Sequence, residues 1–380
     1  MRVEIYESIE QLDEAQWDAV AGSCGLICRH RYLRAVERAG INDSRYFYPV
    51  LYDGNRMKAH ACAYYISTEL DTFAQGIGKR LVDWIRRVWP SFLLLRSLEC
   101  GTPVALGSTI SFADVRPADE ALRLLVESLQ RLAREQRVPV LLFRDFYDAQ
   151  LPQCALLHEM GYHRIPNLPG AHLAVRWRTF GAYLDSMRSH YKQKIVKRMR
   201  RFAASGLSVD VEHGFARHAA RLAALWRNVY DRATEYRREI LTARFFEEID
   251  RELGDKSSIV LARDGRTIVG FTLLLDDEDK LVPLYSGLDY SYNERSALYF
   301  NLLYRAVEVG IVLGKRVVDL GITTLVPKKD LGAESIPIHM YIKGLNPLVD
   351  TVVPALWRLM TPGDGTGPRR VFKSSGRSPQ

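Results

Sequence analysis

A carboxylate inside an apolar run is the first candidate for chemistry. Asp319 stands in VVDLGI at the end of a predicted strand, where an unpaired charge is costly and burial raises the pKa toward that of a general base. The alternative is a structural carboxylate bonded to loop N–H groups. Upstream, Tyr285, Asp289, Tyr290 and Tyr292 lie on or just after another predicted strand, and if the strand persists Tyr290 and Tyr292 share a face. Lys328 and Lys329 could hold a phosphate or a carboxylate, or lie in a solvated loop. His339, in SIPIHMYIKG, falls in a further strand that could border a cleft, as a proton-transfer group or as a satisfied buried histidine. In the first half, Glu99, Cys100, Arg144 and Asp145 occupy strand positions, lining an acceptor channel or forming salt-bridged core edges. No G-x-S-x-G marks a serine nucleophile, and no local context activates a cysteine. Cys24, Cys28 and His30 lie close together without a second ligand pair, which favours small buried hydrophobes over zinc, and no metal site is expected.

The elements that position these residues repeat along the chain. PVLYDGNRMKAHACAYYIS and IVLARDGRTIVGFTLLLD each read as strand, Asp-Gly turn and strand. Downstream, ALRLLVESLQRLAREQRVPVLLFRDF and ALYFNLLYRAVEVGIVLGKRVVDLGI each read as a helix running into a strand. The turn aspartates are 211 positions apart and the helix starts 176, so the first half carries 35 extra residues between hairpin and helix. Both halves begin strand, helix, helix. The order differs from the regular alternation of a dinucleotide fold, and no G-x-G-x-x-G joins a strand to a helix. An α/β chain of the mixed-sheet, α+β kind is expected: residues 1–178 with an insertion near 70–98, residues 179–345, a C-terminal helix at 346–360 and a flexible Gly/Pro/Ser-rich tail at 361–380.

The 380 residues exceed one ordinary domain, and 47% hydrophobic residues provide for a substantial core. Five scattered cysteines fit a reducing cytoplasm. The N-terminus lacks the pattern of a secretory signal, and no apolar run reaches spanning length, so any membrane contact is expected to be peripheral. The net charge of +8 is local. Residues 186–201 contribute +7, residues 79–96 +4 and residues 361–380 +3, leaving the remainder at −6. The first segment, SMRSHYKQKIVKRMRR, is predicted as one basic helix whose Lys192, Lys197 and Arg198 could bind an anion. The second mixes arginines with Leu81, Trp84, Ile85 and Val88 on one helical face, as an interfacial helix or as ordinary core packing.

The tandem order, with YSGLDYSYNERSALYFNLLYRAVEVGIVLGKRVVDLGITTLVPKKDLGA in the second half, resembles the GCN5-related N-acyltransferase (GNAT) superfamily in its duplicated form, the FemAB-like and BioF2-like group. The positions that carry the resemblance are Tyr285, Gly287, Asp319, Gly321, Lys328 or Lys329, and Gly332. It implies two tandem GNAT-like acyl-CoA N-acyltransferase domains and direct attack of an amine on an acyl donor, with no covalent enzyme intermediate. Asp319, Tyr285 and Asp289 become the catalytic candidates; Lys328, Lys329, Tyr290, Tyr292, His339, Arg144, Lys192, Lys197 and Arg198 become candidates for binding donor or acceptor. No permanently bound cofactor is implied. The donor is acyl-CoA or acyl carrier protein, and the acceptor an amine, with a lipid or envelope precursor at an anionic membrane surface as one candidate. Aminoacyl-tRNA-dependent peptidyl transfer is the alternative, and a non-catalytic binding protein of the same fold a third. The Gly-rich phosphate loop of acyl-CoA-dependent members is missing, since DYSYNERSALYF has no glycine; Gln75-Gly76-Ile77-Gly78-Lys79 imitates the loop but falls in the insertion.

Overall fold

In the computed structural model both Asp-Gly pairs turn hairpins, with Gly54 at φ +59° and Gly265 at φ +56°. The structure describes residues 1–22, 24–69, 94–113, 118–233, 238–360 and 367–373. The glycine-rich imitation at 75–79 and nearly all of the Arg/Trp segment lie outside them; Arg96 is an exposed residue of a strand.

The chain forms two compact units, each made of discontinuous segments. Strands are numbered along the chain. Unit 1 comprises residues 1–168, 234–240 and 337–363. Its strands are β1 (Arg2–Tyr6), β2 (Tyr46–Asp53), β3 (Arg56–His60), β4 (Ala63–Glu69), β5 (Leu94–Cys100), β6 (Ser111–Phe112), β7 (Val140–Tyr147), β8 (His163–Pro166) and β16 (Ile338–Gly344). They run β6-β3-β2-β4-β5-β7-β16-β8, with β1 on β2. Unit 2 comprises residues 169–233, 241–336 and 364–380. Its strands are β9 (Gly170–Ala174), β10 (Ser208–Glu212), β11 (Ser257–Asp264), β12 (Thr267–Asp277), β13 (Lys280–Leu288), β14 (Val317–Asp319) and β15 (Glu334–Ile336), in the order β10-β11-β12-β13-β14-β9-β15.

The two sheets share one plan. Among the described residues each has a single parallel pair, β5 with β7 and β13 with β14, in an otherwise antiparallel sheet. A long helix makes each parallel crossover, Ala118–Glu135 in unit 1 and Leu298–Val312 in unit 2. Val126 and Leu129 of the first pack with Phe47, Leu98, Leu141 and Phe143, whereas Leu302 and Ala306 of the second pack with Val260, Leu274 and Leu281.

Two strands fall on the far side of the expected boundary near 178. β16 pairs with β7 and β8 in unit 1, and β9 pairs with β14 and β15 in unit 2. The C-terminal helix, Pro347–Met360, belongs to unit 1, where Val353 is buried against Ile165 and Met340. The tail expected to be flexible carries a packed segment at 367–373. Val371 is buried, the Phe372 ring lies 4.9 Å from that of Trp177, and Arg188 N–H donates to Val371 C=O at 2.9 Å. Two apolar side chains in sequence give this stretch enough buried surface to stay ordered.

Candidate functional site

Unit 2 opens where its two parallel strands part. β13 and β14 pair only at Lys280 with Val317 and Leu281 with Val318. Beyond that point β13 continues along β12, and the last residue of β14, Asp319, stands opposite His172 of β9. His172 Nε2 lies 3.2 Å from Asp319 Oδ2, and Gly321 N–H donates to Oδ1 at 3.0 Å. Burial opposes the carboxylate's charge, but the hydrogen bond and charge of His172, the Gly321 N–H and the charge of Lys280 together hold its pKa below the ordinary value. This reverses the expected direction: the carboxylate is buried but not unpaired, so it remains an anion.

Lys328 and Lys329 are not in a solvated loop. They lie on the short helix Leu325–Asp330 and are 6% and 4% exposed. Burial pulls the Lys328 ammonium down to about 8 against the opposing pull of Asp319. A Cβ placed on Gly321 would stand 3.9 Å from Lys328 Nζ, so the lysine head reaches back to the end of β14. The helix is pinned on its other side: Asp330 pairs with Lys194 and Arg369, and Tyr183 Oη donates to Leu331 C=O at 2.7 Å. Gly332 has φ +89°, and a Cβ on it would come within 2.3 Å of the Phe372 ring, which accounts for glycine after Lys-Asp-Leu.

The remaining candidates of this half are placed differently from one another. Tyr285 is half-buried on β13, with its ring edge to that of Phe245 at 5.9 Å. The neighbouring Gly287 is obligatory, because a Cβ would stand 2.7 Å from the backbone of Leu225 and Trp226. Asp289 is an N-cap: its Oδ1 accepts from Ser291 N–H at 3.1 Å and Ser291 Oγ at 2.7 Å. The strand therefore ends at Leu288, and Tyr290 and Tyr292 lie on the helix Tyr290–Ser296 instead of sharing a strand face. Tyr290 is covered by the Arg232 guanidinium, 4.0 Å from its centroid, and Tyr292 Oη donates to Asp264 at 2.9 Å.

The basic segment is one helix, Ser189–Ala203, with Arg188 as its N-cap residue. Lys192 pairs with Asp185 at 2.7 Å, Lys197 is exposed, and Arg198 lies 3.4 Å from the Phe300 centroid while donating to Tyr304 Oη at 3.2 Å. The GNAT type of phosphate cradle does not fit here. Besides the Asp289 cap, Asn293 Oδ1 accepts from Tyr299 N–H at 2.9 Å at the start of the long helix, so side chains of the chain itself occupy backbone donors that a pyrophosphate would need.

In unit 1 the corresponding parting of β5 and β7 holds a buried ionic network. Tyr64 Oη donates to Glu99 at 2.8 Å and accepts from Arg144 at 2.7 Å; Arg238 pairs with Glu99; and Arg144 lies 3.2 Å from Asp145, which also accepts from Asn167 at 2.7 Å. Burial raises the pKa of Glu99, but Arg238 and Arg144 outweigh it and hold the carboxyl low. For Asp145 burial wins and the pKa is raised, on a residue whose φ of +63° few non-glycine residues adopt. His339 also belongs to unit 1, on β16, with Nε2 2.8 Å from Asp148. Cys100 is buried, and His30 Nε2 faces the carbonyl oxygens of Ile9 and Leu12 at 2.8 and 3.1 Å.

The structure thus brings Asp319 and Lys328 together and adds His172, which the sequence reading missed. Asp289, Tyr292 and His339 have polar partners of their own. Arg238 was likewise missed. A histidine in GAHLAVRW and an arginine in TEYRREI carry no motif; only their nonlocal partners single them out.

Two sheets with the same strand plan and one parallel pair each, over paired crossover helices, define a tandem GNAT-fold protein. A family model described as FemAB-like, peptidoglycan biosynthesis/recognition, matches residues 8–324, and the chain belongs to that family. A Mycobacterium tuberculosis protein provisionally named 8-amino-7-oxononanoate synthase 2 is 27% identical over 323 residues, 82% of this chain and 41% of the relative. The chain therefore spans about two fifths of the length of the curated relatives it matches. Among solved structures, FemX superposes with a TM-score of 0.57 at 11% identity, covering 93% of this chain and 100% of FemX. A tandem GNAT protein from the clavulanic acid biosynthesis pathway gives 0.50 at 13% identity, covering 91% and 99%. Family and fold support a transferase of the acyl or aminoacyl kind. Among the described residues no helix is long and apolar enough to cross a membrane.

Proposed function

We propose that the chain transfers an acyl or aminoacyl group to an amine of a cell-envelope precursor, with the chemistry at the parting of β13 and β14. The amine nitrogen attacks the donor carbonyl, the bond to the leaving sulfur or oxygen breaks, and the ammonium proton passes to solvent. Lys328, protonated, stabilises the oxyanion and gives its proton to the leaving atom. Asp319 keeps that ammonium charged, and His172 holds Asp319. The observation that carries this reading is a buried lysine with a pKa of about 8 beside a paired carboxylate. The test is transfer by purified Lys328→Met and Lys328→Arg: Met should abolish it and Arg should leave a small residue, whereas full activity of the Met variant would refute the role.

The donor divides two readings. A thioester on CoA or on an acyl carrier protein is the first. An aminoacyl ester on tRNA is the second, favoured by the Ser291 and Tyr299 amides being occupied by the Asp289 and Asn293 side chains. Binding titrations distinguish them: tRNA affinity should fall steeply and log-linearly with salt through the basic helix, whereas saturable CoA binding without tRNA binding restores the thioester reading.

A further inference from the structure

Neither Cys24 nor Cys28 takes part in the reading above, and the two thiols differ from the other three. Cys24 is exposed; Cys28 is buried four residues later. Between them Gly25, at φ +92°, folds the chain back, and the turn closes with Cys28 N–H donating to Gly25 C=O at 3.2 Å. Cys28 Sγ lies 3.6 Å from the carbonyl oxygen of Cys24, so the buried sulfur sits against the residue that carries the exposed one. The hydrogen bond from Cys28 brings the Cys24 thiol down to about 6 against the effect of burial, with help from Ser111 and the charge of Arg29. By contrast, burial pushes Cys100 and Cys154 up to about 12 and Cys62 well above its ordinary value.

We propose that Cys24 and Cys28 form a thiol–disulfide exchange site for low-molecular-weight disulfides, with Cys24 as the attacking and Cys28 as the resolving thiol. The Cys24 thiolate attacks one sulfur of the incoming disulfide, forming a mixed disulfide and expelling one small thiolate. Cys28 then loses its proton to solvent and attacks Cys24 Sγ, expelling the second thiolate and closing the 24–28 disulfide. Two protein thiols are oxidised and one small disulfide is reduced to two thiols. A thiolate poised beside a resolving thiol is the arrangement such exchange requires.

Oxidation also changes what the site holds. Cys28 Sγ is 3.4 Å from Ser108 C=O, so the disulfide removes the Cys28 S–H donor from the segment that joins β5 to β6. That segment starts beside the buried network, where Thr102 C=O accepts from Arg144 at 3.5 Å. The oxidised protein is therefore expected to loosen residues 101–110 in unit 1.

The experiment treats the full chain at pH 7 with glutathione disulfide, alkylates the remaining thiols and maps them by mass spectrometry. The expected product is a 24–28 disulfide without a glutathione adduct, with the other three cysteines alkylated only after denaturation. Cys28→Ala should instead accumulate glutathione on Cys24, and Cys24→Ala should leave Cys28 unmodified. Hydrogen exchange over 101–110 should accelerate on oxidation. A stable glutathione adduct on Cys24 of the unsubstituted chain, or no reaction at either residue, overturns the site; unchanged exchange overturns its coupling to the segment.

Discussion

Asp319 and His172 face each other across neighbouring antiparallel strands, Nε2 to Oδ2 at 3.2 Å, although His172 precedes every other element of the unit 2 sheet. The pairing makes Asp319 a fixed anion, and a fixed anion next to Lys328 keeps the lysine protonated. The proton-handling group of the proposed site is accordingly the lysine.

That dependence is measurable. Asp319→Asn removes the charge that opposes burial at Lys328, so the lysine pKa should fall further and the descending limb of the pH–rate profile should move to lower pH by roughly one unit. His172→Phe should leave it nearly in place, because Asp319 keeps its Gly321 N–H and the charge of Lys280 and stays an anion near pH 8. A profile unmoved by Asp319→Asn separates the two groups and contradicts the coupling.

Lys328 also costs stability, and the sign follows from its shift. Its folded pKa of about 8 lies below the ordinary value of 10.5, so between these values the unfolded chain binds more protons and stability rises with pH. Below pH 8 the penalty is complete, on the order of 3 kcal/mol. Urea unfolding should show Lys328→Met more stable than the unsubstituted chain at pH 7 and the difference closing above pH 10. Equal or lower stability at pH 7 would mean that the lysine is not paying a burial penalty.

Gly332 and Phe372 should be coupled. Gly332→Ala introduces a Cβ 2.3 Å from the Phe372 ring at φ +89° and should cost about 2–4 kcal/mol through strain and displacement of the ring. Phe372→Ala alone should cost about 3 kcal/mol. In the double variant the clash is gone, so calorimetry should find a loss smaller than the sum; strict additivity would place the ring elsewhere.

In unit 1, Glu99→Gln leaves the Arg144 and Arg238 guanidinium groups buried without their shared anion and should cost about 3–5 kcal/mol. Adding Arg238→Met removes one of those charges, so the double variant should unfold at a higher temperature than Glu99→Gln alone. A further fall would show that Arg238 contributes by packing and not through Glu99.

What the sequence revealed depended on how local each signal was. The Asp-Gly hairpins, the crossover helices and the parallel strands after them were legible because turn chemistry and periodicity act within a few residues. Membership of β9 and β16 was not, since a short apolar strand does not encode which sheet it joins. The same loss hid His172, and without His172 the Asp319 pKa was read with the wrong sign. Whether the strand persists through Tyr290 and Tyr292 was not legible, because the aromatic residues suit a strand while Asp289 suits an N-cap, and the cap decides it. A helix at the two lysines was not legible, because Pro327 and a stretch of only six residues obscure an element that tertiary contacts at Asp330 and Gly332 hold in place.

The central claim is that Lys328 supplies the proton in transfer. The most direct measurement is the pH dependence of single-turnover transfer by the unsubstituted chain and by Lys328→Arg. The unsubstituted chain should lose activity above an inflection near pH 8, the value to which burial brings Lys328. In the arginine variant that inflection should vanish, because a guanidinium does not titrate there, and the remaining rate should be lower by about 10²-fold or more. The same inflection persisting in Lys328→Arg would contradict the account.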